Sequence, residues 1–116
     1  MNSKDFALIA AKTLDSKKAE DITIFDIATK SSIADYLILA SASNERLIGA
    51  LVDEVEDAYA YAKEGLLVKS IEGKKESGWI LMDFGDIIVN VLTFEMREKY
   101  NIEKVWADCD TLNWEV

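Results

Sequence analysis

The sequence predicts a single α/β domain, with a five-stranded mixed sheet flanked by helices. Its 116 residues are the length of one ordinary domain, and half of them are hydrophobic, which favours one folded core. Helix and strand patterns follow one another in the order α-β-β-α-β-β-β-α. A long helix between the second and third strands leaves room for a crossover and one parallel pair. The short links between the last three strands make those strands antiparallel neighbours.

The first third of the chain predicts a helix followed by two strands. Residues 3–18 have apolar side chains at helical spacing, and Asn2 or Ser3 can cap their first turn. Residues 21–27 are rich in β-branched residues and bounded by charges, which indicates a strand. After a polar turn, residues 35–41 contain an uninterrupted apolar run, which is typical of a strand buried on both faces.

The middle of the chain predicts a long amphipathic helix and a third strand. Ser43 or Asn44 caps the start of the helix, and Gly65 is placed where a left-handed C-terminal cap is expected. Its predicted buried stripe consists of Leu47, Leu51, Val55, Ala58 and Ala62, supported by Ile48, Val52 and Tyr59. Residues 66–71 follow as the third strand.

Two further strands complete the predicted sheet. Residues 72–78 are polar and contain two glycines, which indicates a turn. Residues 79–83 and 87–92 are the fourth and fifth strands, joined by a tight reversal.

The C-terminal part predicts short helical segments and a tail. Thr93 can cap a helix over residues 94–100, and residues 102–106 close the ordered domain. We therefore expect one domain over residues 1–106. Residues 107–116 have no clear period and are expected to be a loose tail.

The acidic composition and several absences narrow the function classes. Thirteen Lys and Arg against twenty-two Asp and Glu give a net charge of −9, which disfavours DNA, RNA and anionic membranes and suits a basic protein partner. The sequence has no His, so imidazole acid–base chemistry is excluded, and its one Cys cannot form a disulfide within the chain or complete a zinc site. No apolar run reaches the ~20 residues of a membrane span, and no signal peptide is visible, so we expect a cytoplasmic protein.

Three carboxylates form the candidate catalytic group: Glu72, Asp83 and Asp86. They can hold magnesium or poise a general acid near one edge of the sheet, or they can form a solvated acidic rim. A nucleotidyltransferase would place a Gly-Ser pair at a helix start and two acids in a D-x-D spacing on a neighbouring strand. Here Ser41-Ala42-Ser43 precedes the helix, and Asp83 and Asp86 are three positions apart. The rim is therefore favoured, with a magnesium-dependent nucleotidyltransferase-like enzyme as the alternative.

Two large side chains leave alternatives open. Trp79 opens the fourth strand beside a charged loop, where it is either a core residue or an interface anchor at the sheet edge. Arg97 on the short helix is solvated or paired, or it clamps the chain after the fifth strand.

Five short motifs follow one another between Lys18 and Trp106, about three quarters of the chain. They are KAEDI from Lys18, SSIADY from Ser31, SASNER from Ser41, EG from Glu72 followed by GWILMDFGD from Gly78, and REKYNIEKVW from Arg97. In this order and spacing they resemble the ribosomal silencing factor family, also called the Iojap-like family.

The resemblance implies a fold related to nucleotidyltransferases without their catalytic residues. It also implies binding to the large ribosomal subunit at the ribosomal protein numbered fourteen, on the side that faces the small subunit. The bound factor would block subunit joining and repress translation, mainly under nutrient limitation. No reaction or cofactor is required, and the free protein is expected to form a homodimer.

We expect the partner to bind the last three strands, through an apolar anchor surrounded by acid. The apolar contacts are assigned to Trp79, Ile80 and Leu81, and the acid to Glu72, Asp83 and Asp86. One residue departs from the family pattern, because Asn90 stands where the family usually has His. An amide can keep a hydrogen bond to Arg97 or the following turn but cannot titrate, which fits a binding protein better than an enzyme.

Overall fold

The computed structural model describes residues 2–62 and 65–115 and contains one mixed sheet. Its strands are β1 (Glu20–Asp26), β2 (Tyr36–Ala42), β3 (Ser70–Lys74), β4 (Trp79–Asp83) and β5 (Ile87–Thr93). They lie in the order β1-β2-β5-β4-β3. The β2–β5 pair is parallel, and the other three neighbouring pairs are antiparallel. The predicted α/β class with a five-stranded mixed sheet is confirmed.

Helices cover both faces of this sheet. They are α1 (Ser3–Ser16), α2 (Glu45–Ala60), α3 (Phe94–Tyr100) and α4 (Ile102–Val105). The first two pack together on one face, and the last two lie on the other. No helix within residues 2–62 and 65–115 is long and apolar enough to cross a membrane.

Side-chain oxygens cap the N-termini of three of these helices, at positions where the sequence predicts caps. The side chain of Asn2 accepts from the backbone N–H of Asp5 at the start of α1. Asn44 accepts from the N–H of Leu47 at 2.8 Å and begins α2. Thr93 caps α3. Each bond satisfies an N–H group that has no partner inside its helix.

Alternation along the strands divides the apolar side chains into two cores. On β5, Val89 and Val91 belong to the core beneath α1 and α2, whereas Ile88 and Leu92 belong to the core on the α3 side. Both faces of β2 and β5 are buried, which explains the uninterrupted apolar runs in their sequences.

The predicted end of the long helix is wrong. α2 ends at Ala60, and Tyr61 is its C-terminal cap. The N–H of Leu66 bonds to the carbonyl of Tyr59 at 3.0 Å, which turns the chain back toward the sheet. Gly65 does adopt a positive φ of 63°, but it lies beyond the helix. Residues 63–64 of the predicted helix fall outside the described residues.

The predicted third strand is displaced. Residues 66–69 are not paired as a strand, and Leu66 and Val68 instead pack against the core beneath α1 and α2. β3 consists of Ser70–Lys74, a mostly polar segment whose residues are all exposed, in register with β4. The strand pattern of these residues is weak because β3 lies at the edge of the sheet, where polar side chains are favoured.

The predicted loose tail is also wrong for residues 110–114. Thr111 pairs with Phe25 at the outer edge of β1, and the N–H of Leu112 donates to the carbonyl of Ile24 at 2.9 Å. The indole N–H of Trp114 donates to the carbonyl of Ile22 at 3.1 Å. The segment is ordered because it satisfies backbone groups along an edge that would otherwise face solvent.

Tyr59 links α2 to α1 inside the larger core. Its hydroxyl donates to the carbonyl of Phe6 at 2.6 Å, and its ring meets Phe6 and Phe84 edge to face. Burial raises the pKa of the Tyr59 phenol above its ordinary value of 10.

Tyr59→Phe is expected to lower the free energy of unfolding at pH 7 by about 1 kcal/mol, because one buried hydrogen bond is lost. The raised folded-state pKa adds a second signature. Near pH 10, Tyr59 ionises in the unfolded chain but not in the folded one. Its contribution to the free energy of unfolding is therefore complete below pH 10 and declines as the pH rises further, because ionisation stabilises the unfolded chain. The stability difference between wild type and Tyr59→Phe should therefore narrow above pH 10.

Urea unfolding at pH 7 and near pH 11 measures this difference. Tyr61→Phe is the matched control, because Tyr61 is 87% exposed and its replacement should change stability at neither pH. A Tyr59→Phe difference that stays constant with pH would contradict the buried phenol.

Candidate functional site

An apolar groove of about 390 Å³ lies on the α3 side of the sheet, next to edge strand β3. Four large side chains line it: Trp79, Leu81, Met96 and Tyr100. Glu72, Gly73 and Ser77 complete its wall. The groove combines aromatic and aliphatic surface with one carboxylate, the mixture found at protein interfaces.

Strand register and helix spacing bring the groove residues together. Trp79 and Leu81 are two positions apart on β4, so both side chains face α3. Glu72 is paired directly with Leu81 across the β3–β4 ladder. Met96 and Tyr100 are four positions apart and therefore share one face of α3. Neither residue was predicted to belong to the site, although their spacing of four on a predicted helix indicates a shared face.

Trp79 is both a packing residue and a surface residue. It is half-buried and packs against the α3-side core, and its ring centroid lies 5.2 Å from that of Tyr100. Its indole N–H donates to the side-chain oxygen of Asn90 at 3.0 Å. The predicted hydrogen bond at Asn90 is therefore present, but its partner is Trp79 and not Arg97 or the following turn.

Arg97 clamps the chain that follows β5, which is one of the alternatives that the sequence leaves open. It is 7% exposed, and its Nη1 donates to the carbonyl of Asp21 on β1 and to the hydroxyl of Ser41 on β2. Its Nε donates to a carboxylate oxygen of Glu103 on α4 at 2.8 Å. Asp21 has a positive φ of 49° at a register shift in β1. Arg97 thus fixes α3 against two strands and α4.

Two predicted contact residues lie away from the groove. Ile80 faces α1 and α2 and is buried in the larger core, because it alternates with Trp79 and Leu81 along β4. Asp86 lies in the turn between β4 and β5 and borders a cavity of about 190 Å³ with Asn2 and other residues at the start of α1. The assignment of Ile80 to a contact surface with Trp79 and Leu81 is therefore wrong, and Asp86 is not part of the groove.

The three candidate carboxylates do not form a cluster. Glu72 lines the groove, and Asp83 points to the same face of the sheet from the far end of β4. Asp83 accepts from the N–H of Gly85 at 2.8 Å, so it caps the turn that follows. Within the described part of the chain, no group of three or more acidic, Cys or His side chains is placed to hold a metal ion.

The whole chain matches a family model described as "Ribosomal silencing factor during starvation", over residues 1–116. Ribosomal silencing factor RsfS of Bacillus subtilis is 37% identical over 108 residues, which cover 93% of this chain and 90% of that protein. The mouse protein named mitochondrial assembly of ribosomal large subunit protein 1 is 30% identical over 96 residues, or 81% of this chain and 42% of its own length.

A crystal structure of a protein from Chromobacterium violaceum has a similar fold. It matches with a TM-score of 0.86 and 26% identity, covering all of this chain and 94% of that one. The overall similarity therefore extends over the sheet, the helices and the C-terminal segment.

Arg97→Met is expected to lower the free energy of unfolding by about 2–4 kcal/mol, because the buried hydroxyl of Ser41 and the carbonyl of Asp21 lose a charged donor. Urea unfolding measures the loss. Arg46→Met is the matched control, since Arg46 is exposed on α2 and its replacement should change stability by less than about 0.5 kcal/mol. Equal effects of the two substitutions would show that Arg97 is not a clamp.

Proposed function

Because the chain belongs to the family of ribosomal silencing factors during starvation, we propose that it represses translation by binding the large ribosomal subunit and blocking the small subunit from joining. The proposed contact is the large-subunit protein numbered fourteen, on the side that faces the small subunit. Steric exclusion needs no reaction, so we propose a binding protein without a cofactor rather than an enzyme.

The observation that carries this proposal is the aromatic groove beside β3. Trp79 is fixed by its hydrogen bond to Asn90, while part of its surface remains accessible together with Tyr100. A large side chain that is already ordered loses little conformational entropy on binding, which makes it a suitable anchor. The edge of β3 next to the groove is exposed along its whole length and lies at the end of the sheet.

Charge supports a basic partner. The chain carries a net charge of −9, and Glu72 lies in the wall of the groove. Most ribosomal proteins are basic, so attraction at long range would speed their encounter with this surface. The proposal includes a cytoplasmic location and a homodimer in the free protein.

We expect the protein to co-sediment with isolated large ribosomal subunits and not with small ones. Trp79→Ala should weaken this binding by at least about 2 kcal/mol, the size of an interface hot spot. Tyr100→Ala should also weaken this binding. Because Tyr100 is half exposed, this second variant tests the groove even where Trp79→Ala lowers the stability of the fold.

Val105→Ala is the matched control for both variants. Val105 is 70% exposed on α4 and does not line the groove, so its truncation should leave binding unchanged. Circular dichroism on each variant separates loss of the fold from loss of binding. Equal binding of the wild type to both subunits, or to neither, would refute the proposed function.

The carboxylate of Glu72 in the groove wall should act mainly on the association rate. Glu72→Gln is expected to slow association with large subunits at low salt, because one attractive charge at the groove is removed. The effect should shrink at ~0.15 M salt, where the Debye length is about 8 Å. The rate is measured with immobilised large subunits and flowing protein at several ionic strengths.

Asp86→Asn is the matched charge control, because Asp86 lies outside the groove. It removes the same charge and should slow association less than Glu72→Gln does. If the two variants associate at equal rates, the partner does not approach through the groove.

A further inference from the structure

Asn90 is a buried amide in an apolar setting. It is 2% exposed at the centre of β5, and its direct cross-strand neighbours are Leu39 on β2 and Leu81 on β4. Burying an amide among leucines costs free energy unless the amide is hydrogen-bonded. Within the described residues, the side-chain oxygen of Asn90 accepts a hydrogen bond from the indole N–H of Trp79.

That bond constrains a side chain of the groove. Trp79 lies diagonally across the β4–β5 ladder from Asn90, because Trp79 pairs with Leu92 and Leu81 pairs with Asn90. The indole N–H is the donor of the Trp79 side chain, so fixing it at 3.0 Å from Asn90 orients the ring against Tyr100. Without this acceptor, the indole would have to turn toward water to satisfy its N–H.

We propose that Asn90 is a positioning residue for partner binding, which acts through Trp79 without touching the partner. The inference rests on the proposed function of the groove and adds to it the buried group that sets its shape. Asn90 orients the indole, the indole packs beside Tyr100, and the two rings present a preformed surface. Binding therefore depends on a residue that is itself inaccessible to the partner.

The first test is a measurement on the free protein. The indole N–H groups of Trp79, Trp106 and Trp114 give three resonances in a ¹H–¹⁵N spectrum, and the one that disappears in Trp79→Phe belongs to Trp79. In Asn90→Leu, this resonance should shift and exchange faster with solvent, while the other two remain in place. An unchanged Trp79 resonance would overturn the inference. Where Asn90→Leu does not fold, Asn90→Ser removes the same amide oxygen and replaces it in the test.

The second test is a double-mutant cycle on binding to large ribosomal subunits. Asn90→Leu should weaken binding about tenfold in the wild-type chain, the scale of one lost hydrogen bond that orients an anchor. In a Trp79→Phe background, the same substitution should weaken binding no further, because the indole through which Asn90 acts is already absent. A loss of equal size in both backgrounds would assign Asn90 a general structural role and overturn the inference.

Tyr59→Phe is the control for loss of a buried hydrogen bond elsewhere in the fold. Tyr59 lies in the core beneath α1 and α2, so its replacement should leave the Trp79 resonance and the binding unchanged. The two proposals fail separately. If the wild-type chain does not bind large subunits, the proposed function fails, whereas the resonance of Trp79 still decides whether Asn90 positions the indole.

Discussion

The parallel pairing of β2 with β5 is the constraint on which the rest of the structure depends. Seven residue pairs join these strands, from Tyr36 with Ile87 to Ala42 with Thr93. Parallel neighbours need a long crossover, and here the chain passes through α2 and the two strands β3 and β4 before it returns. The crossover places α2 on one face of the sheet and leaves β3 at an edge. The groove exists beside that edge because no described strand continues the sheet beyond β3.

The two faces of the sheet have different chemistry. Beneath α1 and α2, the buried side chains are apolar apart from the hydroxyl of Tyr59. On the α3 side, three buried polar or charged residues are present among those described: Ser41, Asn90 and Arg97. Apolar burial supplies non-directional stability, whereas hydrogen bonds fix orientation. The α3 side is thus the one on which buried hydrogen bonds hold α3 and Trp79 in defined positions, and it is also the side that carries the groove.

Local patterns predicted most of the fold, and the errors have identifiable physical causes. The caps at Asn2, Asn44 and Thr93 were readable because a capping side chain and its helix are adjacent in sequence. The predicted position of β3 is wrong because an edge strand needs no apolar side chains, so composition does not reveal it. Likewise, no local pattern predicts the order of the C-terminal segment, because its partners on β1 are distant in sequence and its own residues have no period.

The candidate site was predictable only in part, for the same reason. Trp79, Leu81 and Glu72 are close in sequence, and their shared face follows from alternation along two adjacent strands. Met96 and Tyr100 join them because α3 is held over the sheet, by apolar packing and by the bonds of Arg97 to atoms 56 and 76 positions away. The partner of Asn90 depends on strand register, which the sequence alone does not specify. Family resemblance supplied the function, whereas the geometry supplied the surface through which it is proposed to act.

The C-terminal segment has a consequence for the order in which the protein folds. The indole N–H of Trp114 donates to the carbonyl of Ile22 across 92 positions, so β1 gains this outer partner only after residue 114 has been made. β2 likewise awaits β5, because the two strands are far apart in sequence. Contacts between distant residues slow folding, since long loops must close before any contact rewards them. During synthesis, α1 and the β1–β2 hairpin can form early, whereas β2 gains its second neighbour only once β5 has been made, and β1 gains its outer partner only once residues 110–114 have followed.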